Sequence, residues 1–220
     1  MAAWIAYNVL AGVVAYICGS IPTGYWLGKL LRGIDIREHG SRSTGATNVL
    51  RTLGKAPALA ALLIDLLKGF AAVAFAYWLY SLPAVIFVRP PSIEMSIWLP
   101  WAIMVVALLA ILGHSRSIFI RFTGGKSAAT GLGVLLAISW QVGLGAAIVF
   151  AAVLAISRVV SLSSISAAFA ALVFMWLFRQ PTPFLLLTAI GAVYVIFRHR
   201  ANIGRLLAGT EARLGSREPA

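Results

Sequence analysis

Three polar segments of this chain bring Gly, Ser, Thr, Asn or His close to a cation, a set suited to holding an anion and donating hydrogen bonds to it. The first runs Glu38-His-Gly-Ser-Arg-Ser-Thr-Gly-Ala-Thr-Asn-Val-Leu-Arg51, preceded by Gly19-Ser-Ile-Pro-Thr-Gly24. Gly40 and Gly45 permit turns closed to other residues, and Ser41, Ser43, Thr44, Thr47 and Asn48 supply neutral donors beside Arg42 and Arg51. Pro22 removes a backbone donor and is expected to kink its helix, freeing carbonyls for side chains or water. The bland reading of this segment is a polar connector held by side-chain turns.

The second segment runs Gly113-His114 through Gly124-Gly-Lys126 to Thr130. A nucleotide P-loop would need Gly where Ile120 stands, and no strand precedes it. Gly124 and Gly125 are expected to leave N–H groups free at a helix N-terminus, with Lys126 adding a full charge, although such a turn is often only a helix start. The third segment, Arg198-His-Arg-Ala-Asn-Ile-Gly-Arg-Leu-Leu-Ala-Gly-Thr-Glu211, is expected to continue as helix, placing His199, Asn202 and Ile203 on one face. Its alternative is a basic tail pairing with lipid phosphates. Arg158 with Ser161, Ser163 and Ser164 adds a further cation and hydroxyls, or an interfacial connector. Asp65 and Lys68 are spaced to meet on one helix face inside an apolar run, as a functional wall or a buried structural pair.

Several chemistries are excluded. The carboxylates are Asp35, Glu38, Asp65, Glu94, Glu211 and Glu218, too scattered for a metal-dependent phosphotransferase, so no metal site and no cofactor are expected. No Ser has a matched His and Asp context, and no His is followed five residues later by Asp: Thr44, Phe119 and Gly204 hold those positions. That removes the His/Asp pair of the large acyl-CoA-dependent glycerolipid acyltransferases.

The elements that must position these segments lie in membrane. With 61% hydrophobic residues, 11% charged and a mean hydropathy of +0.94, the chain is too apolar for a soluble domain. Its net charge of +12 is therefore not read as nucleic-acid binding. Cys18, the single cysteine, sits in an apolar run as a small buried hydrophobe. The N-terminus lacks the basic n-region and cleavage site of a signal peptide. Apolar runs fall at 3–31, 57–82, 97–113, 127–157, 161–178 and 182–197.

As one helix, the 31 residues from Ser127 to Ser157 would extend about 46 Å, against a hydrocarbon core of about 30 Å. Cut into two short helices turning near Trp140 to Gly145, the run yields seven spans with the N-terminus outside. The inside segments then hold 15 of 18 basic residues, from Lys29 to Arg217, while the outside keeps Arg89 and Arg179. Uncut, the split falls to ten against seven, so the charge pattern favours an all-α integral membrane protein of seven transmembrane helices, some short or broken, with a cytoplasmic C-terminus. Residues 1–200 are read as the membrane domain with a cytoplasmic site, and 201–220 as a tail carrying the end of the last motif.

Taken together these segments resemble the PlsY family of membrane acyl-phosphate:glycerol-3-phosphate acyltransferases. The resemblance rests on Gly19-Ser-Ile-Pro-Thr-Gly24, Gly40 through Asn48 with Arg51, Asp65 with Lys68-Gly69, Gly113-His114, Gly124-Gly-Lys126, Ser161 with Ser164, and His199-Arg-Ala-Asn-Ile-Gly-Arg205 through Glu211. It implies transfer of a fatty acyl group from acyl phosphate to the 1-hydroxyl of glycerol 3-phosphate at the cytoplasmic face of a bacterial inner membrane, without acyl-CoA. It also implies a soluble acyl-phosphate-forming enzyme as a partner. Ser41, Arg51, Lys126, Ser164, His199 and Asn202 match residues the family uses around its two phosphates. The expected assignment gives one phosphate to Lys126 with the Gly124 and Gly125 amides, the other to Arg51 and Ser41, and glycerol 3-phosphate to His199 and Asn202. Thr47, Asn48 and Ser161 join the phosphate-binding set, and Asp65, Lys68, His114, Arg205 and Glu211 are secondary. The chain departs from the family pattern at Arg42 and Ser43, where Gly and Asn are usual, at Ser117 in place of Pro, and at Ser127 in place of Gly. The rival reading is a membrane transporter of phosphorylated metabolites, which an inverted repeat would favour and none is seen.

Overall fold

The computed structural model describes residues 1–215; Arg217, Glu218 and the rest of 216–220 lie outside them. Eleven α-helices account for the regular structure of the described residues: α1 (Ala2–Ser20), α2 (Thr23–Arg32), α3 (Ala46–Leu53), α4 (Lys55–Ser81), α5 (Pro83–Phe87), α6 (Met95–Ser115), α7 (Ala128–Ile138), α8 (Trp140–Ser157), α9 (Val160–Leu177), α10 (Thr182–Arg198) and α11 (Arg200–Leu207). Short 3-10 turns occupy Ile36–Glu38 and Ile118–Ile120, and the Ser117 to Thr123 pairing is an isolated bridge.

The side-chain sizes are distributed as a lipid solvent requires. On α1 the buried positions include Ala11, Ala15 and Gly19, while Ile5, Val9, Val13 and Ile17 face outward. Lipid tails are as apolar as Leu, so helices associate through close packing of small residues rather than by hiding large ones. Glycines mark the tightest approaches: a Cβ on Gly19 would strike the Ala110 backbone of α6, and one on Gly133 of α7 would strike Leu66 of α4.

Five segments are long and apolar enough to cross a membrane, with α1 and α2 counted together as Ala2–Arg32, and α4, α6, α8 and α9 as the others. The pair α10 and α11, bent by 61°, makes a sixth if taken as one span. The run expected to split into two short helices gives α7, whose 11 residues make about 16 Å of apolar helix, shorter than a hydrocarbon core. The long apolar run does break, at Ser139, one residue before the expected turn region. It divides unequally, into α7 and the 18-residue α8.

The chain forms two compact units, meeting in sequence between Ile138 and Ser139. In the first, α1 packs on α6 and α4, and α4 packs on α7. In the second, α9 packs against α8 and α10, and the Leu214 N–H donates to the Arg158 carbonyl at 2.7 Å.

The break after α1 behaves as Pro22 requires. Lys68 Nζ donates at 2.7 Å to the half-buried Ile21 carbonyl, which also accepts the Thr23 N–H, so a side chain from α4 shares the acceptor that the helix gives up. Lys68 also meets Asp65 Oδ1 at 2.7 Å, and both side chains are almost wholly buried. The same carboxylate oxygen accepts from Thr23 Oγ1 of α2 at 3.0 Å, making the pair a buried brace across the broken span.

Two of the four departures from the family pattern fall at left-handed backbone. Arg42 has φ +56° and Ser127 φ +62°, where Gly carries no Cβ penalty. Ser127 is buried and its hydroxyl donates to the Ile111 carbonyl at 3.0 Å. Ser127→Gly is therefore expected to change stability by less than about 1 kcal/mol, relief of strain offsetting the lost bond. Ser127→Ala keeps the strain, loses the bond and is expected to cost about 1 kcal/mol, read as a lower unfolding temperature in detergent.

Candidate active site

The first loop is shaped by two residues of different kinds. Asp35 accepts the Arg37 N–H at 3.0 Å and forms an ion pair with its guanidinium at 2.6 Å. That hydrogen-bonded cation holds the Asp35 carboxyl below the usual carboxylate range. Arg37 Nη1 continues to the Ile120 carbonyl at 3.1 Å and Thr123 Oγ1 at 3.0 Å, tying the first loop to the second. Sequence reasoning missed Arg37; the Asp-x-Arg spacing of a capped turn was its only signal.

Asn48, expected among the phosphate donors, has its amide engaged by the loop backbone. Its Nδ2 donates to the carbonyls of Ile36 at 3.0 Å, His39 at 3.1 Å and Ser43 at 2.8 Å, and its Oδ1 accepts the Ser41 N–H at 2.8 Å. A Cβ on Gly40, itself at φ +54°, would strike that oxygen. Asn48 thus folds residues 36–43 around itself and fixes the backbone of Ser41. Ser41 and Arg51 are exposed and Thr47 is half-buried. Arg51 stands in the last turn of α3, which Val49 and Leu53 anchor against Ile36, Ala58 and Ala61.

The second loop corrects one expectation. α7 begins at Ala128, so Gly124 and Gly125 precede the helix instead of opening it. The Gly125 N–H donates to the His114 carbonyl at 3.2 Å. The glycines serve close packing: a Cβ on Gly124 would strike the His114 carbonyl, and one on Gly125 the His114 ring. Lys126, half-buried, lies between Gly125 and Ser127, both fastened to the end of α6.

In the second unit Glu211 gathers the third motif. Its Oε1 accepts from Ser161 Oγ at 2.7 Å and Asn202 Nδ2 at 2.5 Å, and its Oε2 accepts from Arg205 Nε at 2.7 Å. Burial alone would raise the Glu211 carboxyl, but the bonds from Asn202, Ser161 and Arg205 together hold it below its ordinary value. A depressed carboxylate stabilises the fold above its unfolded value, near pH 4.3, and that contribution is lost as pH falls through the folded value. Acidification below about pH 4 is therefore expected to speed hydrogen exchange across residues 200–211. A Glu211→Gln variant should lack this acid step.

Ser161 thus gives its proton to Glu211, and Ser164 Oγ donates back to the Val160 carbonyl at 2.9 Å. The expected continuous third helix instead bends at His199, between α10 and α11. His199 is buried, and its Nδ1 lies 2.7 Å from the Val195 carbonyl. A carbonyl only accepts, so Nδ1 carries a proton in this contact, which fixes the orientation of the ring.

The described residues form an all-helical multi-pass membrane protein whose polar loops carry cations, hydroxyls and amides, groups suited to holding an anion. Residues 9–209 match the family model for glycerol-3-phosphate acyltransferase. A glycerol-3-phosphate acyltransferase of Acaryochloris marina is 55% identical, with 99% of this chain and 97% of that protein covered. Glycerol-3-phosphate acyltransferase 2 of Rhizobium johnstonii is 57% identical over 98% and 99%. The crystal structure of PlsY (YgiH), an integral membrane glycerol 3-phosphate acyltransferase in its glycerol 3-phosphate form, superposes with a TM-score of 0.82 at 35% identity, covering 94% of this chain and 96% of that one. Its lysophosphatidic acid form gives 0.80. The chain belongs to the glycerol-3-phosphate acyltransferase family of PlsY type.

Proposed function

We propose that this protein transfers a fatty acyl group from an acyl phosphate to the 1-hydroxyl of sn-glycerol 3-phosphate, giving lysophosphatidic acid and inorganic phosphate. This would be the first step of phospholipid synthesis at the cytoplasmic face of a bacterial inner membrane. The observation that carries the reading is the family match across residues 9–209. The solved PlsY forms with glycerol 3-phosphate and lysophosphatidic acid support the acceptor and the product.

An acyl phosphate is already activated, so the chain needs no covalent acyl-enzyme and no resident cofactor. The substrate hydroxyl attacks the acyl carbonyl carbon, the bond from that carbon to the bridging phosphate oxygen breaks, and phosphate leaves. Catalysis then consists of holding two phosphates together and shielding the charge that develops between them. Lys126 and Arg51 supply the cations, Ser41 a hydroxyl, and His199 with Asn202 the contacts to glycerol 3-phosphate. The hydroxyl proton passes to His199 Nε2, with the ring oriented by the Nδ1 contact to Val195, or to a substrate phosphate oxygen; a fall in turnover with unchanged affinity in His199→Ala would favour the former. Asn48 and Ser161, also expected among the phosphate donors, hold the Ser41 N–H and Glu211 respectively.

The basic residues that flank these loops support their placement on the cytoplasmic side. The soluble enzyme that makes the acyl phosphate is the partner this chemistry calls for, since the donor must reach the membrane before it hydrolyses. Mass spectrometry of the lipid product tests the reading: one lysophosphatidic acid acylated at the 1-position should form per phosphate released. Phosphate release with no acylated acceptor would show hydrolysis and refute transfer.

A further inference from the structure

Resting on the acyl-transfer reading above, we propose that His114 is a positioning residue that sets Lys126, with its ring lodged between the buried Asp65 carboxylate and the Gly124-Gly125 turn. His114 stands in the last turn of α6 and is buried. Its Nδ1 lies 3.6 Å from Asp65 Oδ1, an oxygen already held by Lys68 at 2.7 Å and Thr23 at 3.0 Å. Donors from α4 and α2 converge on that one oxygen, with the His114 ring edge from α6 packed beside it, so the carboxylate has little freedom to move. A buried carboxylate held this way is a fixed point in the bundle, and the imidazole edge beside it inherits that position.

The opposite edge of the ring meets the loop. A Cβ added to Gly125 would land on His114 Nε2, and one on Gly124 would land on the His114 carbonyl. That carbonyl also accepts the Gly125 N–H at 3.2 Å. Two residues further on, Ser127 Oγ reaches back to the Ile111 carbonyl at 3.0 Å. Lys126 is therefore flanked on both sides by residues anchored to the final turns of α6, and the Gly125 anchor runs through His114. A shift of the ring moves the turn, and a displacement of about 1 Å at a charge-stabilising group can cost about a hundredfold in rate.

A double-mutant cycle over His114→Ala and Gly125→Ala tests this in the full-length protein in detergent. Turnover of palmitoyl phosphate with glycerol 3-phosphate and equilibrium binding of glycerol 3-phosphate and inorganic phosphate are both measured. Gly125→Ala should lower kcat/KM by about a hundredfold, because its methyl displaces the turn against the ring. In His114→Ala/Gly125→Ala the methyl enters the space the ring vacates, and activity should recover at least about tenfold over Gly125→Ala, a strongly non-additive result. His114→Asn, whose amide can stand where Nδ1 meets Asp65, should retain more activity than His114→Ala. A double variant no better than Gly125→Ala in both turnover and binding would overturn the proposal, as would His114→Ala with wild-type KM and kcat. The binding cycle reads the coupling without turnover. A protein that binds the phosphates but forms no lysophosphatidic acid would therefore refute the acyl-transfer reading while the cycle still decides the role of His114.

Discussion

Replacing Lys126 with Met is expected to lower kcat/KM for acyl transfer by about a thousandfold, the scale seen when one charge-stabilising group is lost from a preorganised site. The side chain keeps its length and apolar stem, so the unfolding temperature should change little. The loss should fall on kcat as well as KM, because charge on the departing phosphate is greatest in the transition state. Lys126→Arg should recover only part of the activity, since a planar fork does not reproduce a compact ammonium at a site bracketed by Gly125 and Ser127. An unchanged kcat with a raised KM would confine Lys126 to ground-state binding.

The second large effect concerns stability. Lys68→Met leaves the Asp65 carboxylate almost wholly buried without its nearest cation, and is expected to cost about 3–5 kcal/mol. It also removes the side-chain donor to the Ile21 carbonyl at the break between α1 and α2, leaving only the Thr23 N–H on it. Asp65→Leu/Lys68→Met removes both charges and should be more stable than Lys68→Met alone, because an apolar pair of similar volume carries no desolvation cost. Detergent unfolding curves of the two variants and the wild type check the order. If the double variant were the least stable of the three, the brace would owe its strength to the hydrogen bonds from Thr23 and to Ile21 rather than to the ion pair.

The features legible in the sequence were those set by local chemistry. Pro22 announces a helix break, the i to i+3 spacing of Asp65 and Lys68 announces a shared face, and the excess length of the 127–157 run announces an interruption. Their consequences were harder to read. The interruption falls at Ser139 and divides the run unequally into the 11-residue α7 and the 18-residue α8, because helix ends depend on packing that periodicity does not carry.

The site loops show the same limit. A Gly-Gly-Lys turn suggests amides open to an anion, yet Gly125 spends its N–H on His114, a residue 11 positions earlier whose proximity no spacing rule reveals. Asn48 and Ser161 read as phosphate donors by type, whereas their partners are loop carbonyls and Glu211. The left-handed backbone at Arg42 and Ser127 is invisible in the residues themselves, since neither is Gly; only the resemblance to a family with Gly there hinted at it.

The most direct test of the central claim is donor choice by the purified protein. Palmitoyl phosphate or palmitoyl-CoA is supplied with labelled glycerol 3-phosphate, and labelled lysophosphatidic acid is measured. The account predicts product from palmitoyl phosphate, loss of that product in Lys126→Met, and none from palmitoyl-CoA. Equal or greater product from palmitoyl-CoA, or no product from palmitoyl phosphate with folded protein, would contradict it.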